Sequence, residues 1–533
     1  MSGSEEEEFG EEISVEPNRC TTDITVEEAR ENYESVGSLM DSDQSSLKWE
    51  SYTSLYNEEV KSILDDVLKE MSFQKLSEFQ EMFLHCIGSK KDVFAIVNTG
   101  SGKTETTGIG ALVLRKVFNE PRGLVVMFVP LTGILCELIE HDKVSTAAVT
   151  MDGQMFGKNE HGEGRVILTE EDILSGKFAR IVMHPESLKV GKVEMMMLKL
   201  KQRQQLLGAF IDEFHIIQPK HWASFRPGME EETARLRVFL RKGAPTGALS
   251  ATSTRAEIEV TVQILGLRDK PVILAESPLQ NHYKFVMLKR PSDNYGFEGF
   301  VDQNNKFHAG LLDQLKVIYL DEYIRSIKEN REPKHGIIFF RTESQLILVL
   351  NFLRQSLSVS NVNTAPFVSL VASTPQVTEM VIRKRGGSIS LYLTTQKMLM
   401  GLNIPKLQIC IFVKPMNMLH SLLQGAGRAG RPLADEPGKR ARALVYILAN
   451  GGDVGAQVKG MSDEVRDFVN YKSGCLKAYM ADYFIGDMKV GQNYPDWWCC
   501  SFCSTMSQLK QSCTTTGPGD LRLRAGVFLI LGP

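Results

Sequence analysis

The stretch FAIVNTGSGKTETT, residues 94–107, decides how the rest of the chain is read. An apolar, strand-like run stops at a glycine-rich turn, and Lys103-Thr104 opens a new segment. Backbone amides in such a turn converge on one point at the positive end of a helix dipole, which suits a phosphate. Gly100 and Gly102 let the chain curl around an anion with no Cβ in the way. Asn98, Thr99, Gly100, Ser101, Gly102, Lys103, Thr104 and Glu105 are therefore candidates for holding a nucleoside triphosphate. Lys103 would reach the β and γ groups and the Thr104 hydroxyl would bind Mg²⁺. The general phosphate-loop spacing asks for glycine where this chain has Val97, so the shorter pattern T-G-x-G-K-T fits better.

The loop leaves open what the triphosphate is for. A chain of 533 residues has room for roughly three domains of about 150 residues. With 43% hydrophobic and 24% charged residues it reads as a globular chain able to bury a core. The net charge of −4 means that a polyanion would be met by local basic clusters, not by a global field. Its apolar runs are all too short for a membrane span, so no membrane partner is expected. The acidic opening MSGSEEEEFGEEIS is the opposite of a basic targeting segment. Of nine cysteines, Cys20, Cys86, Cys136, Cys410 and Cys513 are scattered singly, whereas Cys475, Cys499, Cys500 and Cys503 cluster late. That distribution suits a reducing compartment and a metal site, not a disulfide framework.

Residues 1–46 are acidic, serine-rich and poor in periodic apolar positions, and are expected to be a disordered tail. Residues 47–275 alternate short apolar runs (VFAIV, GLVVMFVP, ARIVMH, GAFID, GALSA) with amphipathic segments. That rhythm predicts a parallel sheet covered by helices. A polar, irregular stretch from Glu276 to about Phe307 interrupts it, and the rhythm resumes up to residue 450 with HGIIFF, FVSLVAS, ISLYLTT, LQICIFVK and ARALVYIL. The expected fold is thus α/β, with two tandem parallel-sheet domains over residues 47–275 and 276–450. A shorter helical, cysteine-rich segment follows over 451–510, and residues 511–533 fit none of these patterns.

The second chemical signal is AFIDEFHIIQ, an apolar strand ending in Asp212-Glu213-Phe214-His215. Two acids at one strand end can divide the labour: Asp212 holding Mg²⁺ through its water shell, Glu213 orienting or deprotonating an attacking water.

With these motifs in order, residues 60–505 resemble the superfamily two helicases, and within them the RecQ-like DNA helicases. Gln80 in LSEFQEMFL matches the glutamine that reads the adenine edge. TGSGKT resembles motif I, and VPLTGIL around Pro130 resembles motif Ia. HPESL resembles A-P-E-R-L, DEFH the D-E-A-H box, and SATST from Ser250 motif III. GIIFFRTESQ sits at motif IV, TTQKMLMGLNIP from Thr394 resembles motif V, and QGAGRAGRP from Gln424 resembles motif VI. The resemblance implies two RecA-like domains with the nucleotide between them. Arg428 and Arg431 of the second would then reach the γ-phosphate, an arrangement able to contribute about 10³ to 10⁵ in rate. Hydrolysis would open and shut the cleft, and two gripping units would turn that cycle into a step.

The stretch IIQPKHWASFRPGMEEE resembles the family's aromatic-rich loop, which couples single-stranded DNA to hydrolysis; Phe225-Arg226-Pro227 matches and Trp222 is displaced by one residue. An aromatic face stacks on any base, worth about 1 to 3 kcal/mol. Pro130, Trp222, Phe225, Arg226 and Thr394 are the nucleic-acid candidates. Cys475 in SGCLKAYMADYFIG and the pair Cys500 and Cys503 match the family's zinc cysteines. Cys499 stands in for a fourth that the family places nearer Asp496 or Trp497. Four thiolates would bind Zn²⁺ and help fold this segment. Thirty residues follow Cys503, too few for the family's winged helix. The expectation is an ATP-dependent 3′-to-5′ DNA helicase with weak processivity, preferring short duplexes with 3′ single-stranded tails and working in the nucleus. Two alternatives stay open: an RNA helicase or remodeller, and a nucleic-acid-binding protein with a degenerate motor.

Overall fold

In the computed structural model, the described residues are 57–485 except 74, 98–99, 131–134, 136–137, 140–143, 159–164, 218–228, 268–270, 276–282, 291–314, 341, 361–366, 371–388, 396–403, 405–406, 414–417, 431, 434–435, 441–442, 451–461 and 472–474. The expectations for residues 1–46 and 511–533 lie outside them.

Asn57 opens helix α1 (Glu58–Glu70): its Oδ1 accepts from the Glu59 amide at 2.9 Å, satisfying an end group of the helix. Val60, Leu64 and Val67 recur at helical spacing and are buried. Helix α2 (Glu78–Gly88) starts from a reciprocal cap between Ser77 and Gln80. The first unit continues through β1 (Val93–Ile96), α3 (Lys103–Val117), β2 (Leu124–Phe128), β3 (Thr146–Val149), β4 (Met155–Lys158), β5 (Arg165–Ile167) and α4 (Glu170–Leu174). It ends with β6 (Arg180–Met183), α5 (Gly191–Gln202), β7 (Leu206–Asp212), α6 (Met229–Phe239), β8 (Thr246–Ser250), α7 (Arg255–Ile264) and β9 (Val272–Ala275).

These strands form a nine-stranded sheet in the order β5-β4-β3-β6-β2-β7-β8-β1-β9. Strands β1, β2, β6 and β8 are buried along their whole length, as a sheet covered on both faces requires. Alternate side chains feed two cores: Phe94 and Ile96 enter one, Val93, Ala95 and Val97 the other. The sheet is not wholly parallel. β4 runs antiparallel to β3 because Asp152-Gly153 turns the chain back, Gly153 having φ +78°, and β5 runs antiparallel to β4.

The second unit contains β10 (Tyr283–Arg290), α8 (Asp321–Lys328), β11 (His335–Phe340), α9 (Glu343–Val359), β12 (Phe367–Leu370), β13 (Leu391–Thr395), β14 (Leu407–Phe412) and α10 (Leu419–Ala426). After these come β15 (Pro432–Leu433), β16 (Glu436–Arg440), β17 (Ala443–Asn450), α11 (Asp463–Asn470) and α12 (Leu476–Ile485). Its parallel sheet runs β10-β17-β14-β11-β13-β12. Strand β10 corrects the sequence reading, which left residues 276–307 irregular. It pairs with β17 from Tyr283↔Ala443 to Arg290↔Asn450. Its lysines and arginine suit the edge of a sheet, which is why composition hid it. Helices α11 and α12 share the core of this sheet: Phe468, Met480 and Phe484 pack with Phe285, Val445 and Ile447. Residue 450 is therefore no break in the core.

Among the described residues no helix is long and apolar enough to cross a membrane. Strands β7, β8 and β1 are neighbours, so the acidic motif after β7, SATST from the end of β8 and the glycine-rich loop after β1 emerge at one sheet edge. That carboxyl edge is where open α/β sheets bind ligands.

Candidate functional site

At the end of β1 the structure accounts for Val97. Its side chain is buried in the core, its amide donates to the Ser250 carbonyl at 2.9 Å, and its own carbonyl accepts from Lys103 Nζ at 2.9 Å. Only the backbone of residue 97 serves the loop. Gly100 and Gly102 both have φ +83°, a left-handed conformation that favours glycine. A Cβ on Gly102 would also come within 2.6 Å of Gln80 Nε2. The Gln80 amide thus lies against the loop, while its Oε1 accepts from the Ser77 amide at 2.9 Å and closes the α2 cap. Asn98 and Thr99 lie outside the described residues.

The cradle fits a phosphate. Ser101 Oγ is buried without a hydrogen-bond partner among the described residues, and α3 begins at Lys103 with its amides facing the loop. The Thr104 side chain is exposed, whereas its carbonyl accepts from Arg180 Nη1 at 3.0 Å. The same guanidinium donates to Thr107 Oγ1, and Arg180 Nε donates to Thr146 Oγ1 at 3.4 Å. Arg180 is fully buried and pins the first turn of α3 from beneath. Its position at the start of an apolar strand, ARIVMH, was the only sequence signal for it.

Asp212 ends β7, and Glu213 adopts φ +52°, a strained conformation for a side chain with a Cβ. Burial, reinforced by the neighbouring Glu213, pushes the Asp212 carboxyl up to about 7; Lys103 and Arg180 pull the other way. A carboxyl so poised gains from a cation, so Asp212 and the exposed Thr104 hydroxyl are a fitting pair for Mg²⁺. Glu105 is half-buried in the first turn of α3.

The acid end is joined to the second unit. His215 Nδ1 lies 2.8 Å from Ser250 Oγ and 3.3 Å from Glu213 Oε2. Its Nε2 accepts from Gln424 Nε2 at 3.0 Å, so the ring proton sits on Nδ1, toward Ser250 and Glu213. Gln424 lies on α10, and half-buried Arg428 follows one turn later. Arg431 lies outside the described residues. Two histidines that carried no assigned role in the sequence therefore matter here, since His420 stacks on His215 with ring centres 5.5 Å apart. An i, i+4 pair of His420 and Gln424 on one helix face was the available signal.

Among the nucleic-acid candidates, Pro130 is buried just after β2 and Thr394 is fully buried within β13. Both belong to strand ends whose following residues, 131–134 and 396–403, lie outside the described residues, as do Trp222, Phe225 and Arg226. Of the zinc candidates, Cys475 is half-buried against the second core; Cys499, Cys500 and Cys503 lie outside. Among the described residues no group of three His, Cys, Asp or Glu side chains is arranged to hold a metal.

Comparison with known proteins agrees with this geometry. Residues 77–260 match the family described as DEAD/DEAH box helicase, and residues 315–432 match Helicase conserved C-terminal domain, together more than half of the chain. No curated protein matches the chain by sequence. The DUF1998 helicase MrfA, in a crystal structure bound to DNA and AMPPNP, superposes with a TM-score of 0.54 at 15% identity, over 86% of this chain and 60% of that one. Mss116p bound to ssRNA and AMP-PNP gives 0.51 at 15% identity, over 76% of each chain. A variant of S. cerevisiae Dbp5 bound to RNA and ADP BeF3 gives 0.50 at 16% identity, over 84% of this chain and 96% of that one. At such identities the likeness is one of fold.

Proposed function

Because the chain belongs to the superfamily two helicases, we propose that it is a RecQ-like, ATP-dependent helicase that moves 3′ to 5′ along single-stranded DNA and parts short duplexes with 3′ tails. The observation that carries the motor reading is the 3.0 Å contact between Gln424 and His215, which seats the helix preceding Arg428 on the acid end of the other unit. In this reading Lys103 leaves the Val97 carbonyl for the β and γ phosphates, and Gln80 meets the adenine edge. Thr104 and Asp212 would hold Mg²⁺, which would supply charge neutralisation at the phosphates. Glu213 orients the attacking water, and Arg428 and Arg431 offset the charge that grows on the γ-phosphate.

For DNA, the support is the Phe225-Arg226-Pro227 match with Trp222 nearby, and the DNA-bound state of MrfA. An RNA helicase or remodeller is the second reading, favoured by the RNA-bound states of Mss116p and Dbp5. Steady-state ATPase with single-stranded DNA, single-stranded RNA and no polymer separates them. Stimulation by DNA well above RNA is expected; stronger stimulation by RNA transfers the assignment, and hydrolysis indifferent to both overturns the motor. Zn²⁺ held by Cys475 with Cys499, Cys500 and Cys503 is part of the proposal, and metal analysis of the purified chain tests it at one equivalent. A nuclear location goes with DNA as the substrate and is tested by imaging the tagged chain.

A further inference from the structure

We propose that His420 is a positioning residue that couples the C-terminal helix α12 to the closing of the triphosphate cleft. The inference rests on the ATPase reading of that cleft. Helix α10 carries His420 and Gln424 one turn apart, 2% and 3% exposed, and both reach into the first unit. Gln424 takes the ring of His215. His420 Nε2 takes Glu257 Oε2 at 2.9 Å and lays its ring on His215 with an interplanar angle of 22°.

Glu257 Oε2 is already engaged. It accepts from the Thr254 amide at 2.7 Å and from Ser253 Oγ at 3.2 Å, closing the cap of α7 directly after SATST. His420 therefore grips the cap that links β8 to α7, while Gln424 grips the turn after β7. Two grips on separate elements set the rotation of α10 about its axis, and with it the direction in which Arg428 leaves the helix. Leu419, Leu422, Leu423 and Ala426 hold the opposite side of α10 in the second core, so the two grips act on a helix already seated in its own unit.

His420 also packs against α12. The Phe484 ring stands edge-on to the imidazole at 4.9 Å and 89°, and the Tyr483 ring at 6.3 Å and 80°. Burial, with Glu464 and Glu257 adding to it, raises the Tyr483 hydroxyl above its ordinary value, consistent with a ring held beside this carboxylate. The imidazole is thus braced between α12 and the first unit, so a shift of α12 changes how the units meet.

Two measurements on the full chain test this. Dyes at positions 195 and 347, exposed sites on α5 and α9, report the distance between the units without nucleotide. Steady-state ATPase with single-stranded DNA reports turnover. His420→Ala is expected to lower kcat about tenfold with under about twofold change in KM, and to lower the transfer efficiency between the dyes. His420→Gln keeps a donor for Glu257 and should recover kcat to within about threefold of the parent. Phe484→Leu should fall between them. The losses in His420→Ala and Glu257→Gln should be far from additive when combined. Unchanged transfer efficiency and kcat in His420→Ala, additive losses, or no recovery with glutamine would each overturn the proposal. Should the alanine variant fail to fold, the glutamine and leucine variants carry the same readings. A parent chain that hydrolyses no ATP refutes the proposed function, whereas the dye measurement still decides the His420 contact.

Discussion

The two faces that meet at the cleft are built in different ways. The first unit presents its groups on connections that leave neighbouring strands, and it holds them in left-handed backbone at Gly100, Gly102 and Glu213. The second unit presents one short regular helix, α10, with Gln424 on it and Arg428 just beyond. Strand ends in a shared sheet are locked relative to one another by ladder bonds, so the first face is preformed. The second face is only as well placed as its docking. The difference teaches that binding and turnover should separate: loss on the first face removes the phosphate cradle, and loss on the second removes rate from a cradle that still binds.

The largest effects would break or uphold that division. Lys103→Ala should cut hydrolysis by roughly 10³-fold or more and weaken nucleotide binding with it; Arg428→Ala should cut turnover by about 10³-fold and leave binding of a labelled nucleotide analogue nearly intact. Equal loss of binding in both would dissolve the distinction. Glu213→Gln belongs with the arginine by effect though not by location: about 10²- to 10⁴-fold in kcat, with binding retained in an equilibrium assay.

A stability comparison sharpens the same point. Asp92 is buried in the first unit, where it accepts from the Thr246 amide at 2.8 Å and from Arg237 at 3.3 Å. Asp92→Ala should cost the first unit about 3 to 5 kcal/mol, because Arg237 loses its carboxylate in a buried setting. Calorimetry should show the transition of the first unit moving down and that of the second staying put.

The smallest effect concerns pH. The Asp212 carboxyl titrates near 7 in the folded chain against 3.8 as its ordinary value. The folded state therefore binds more protons than the unfolded state between those values, and this group's contribution to stability falls as pH rises through that window. Melting of the nucleotide-free chain should show a component that favours pH 5 over pH 7.5 and vanishes in Asp212→Asn. A component of opposite sign would mean that Lys103 and Arg180 outweigh the burial.

Much of this architecture was legible in the order of residues. Runs such as VFAIV and HGIIFF became β1 and β11, because a strand buried on both faces has to be apolar at every position. The glycine-rich loop and the acid pair were legible for a related reason: backbone curvature around an anion and charge at a strand end are local demands. Strand β10 was not, since an edge strand tolerates lysine and arginine. Nor was the burial of Pro130 and Thr394, which depends on what packs over a strand end and not on the motif around it.

The sequence by itself determined the two α/β units, the phosphate loop and the acids beside it, because each is encoded in a short segment whose backbone or polarity has few alternatives. Only the tertiary structure decided that Arg180 pins the loop from below, that Gln424 and His420 seize two elements of the opposite unit, and that α12 braces the second of them. Those contacts join residues from 64 to 209 positions apart. Side chains so distant along the chain meet only once the sheets and their covering helices have been packed.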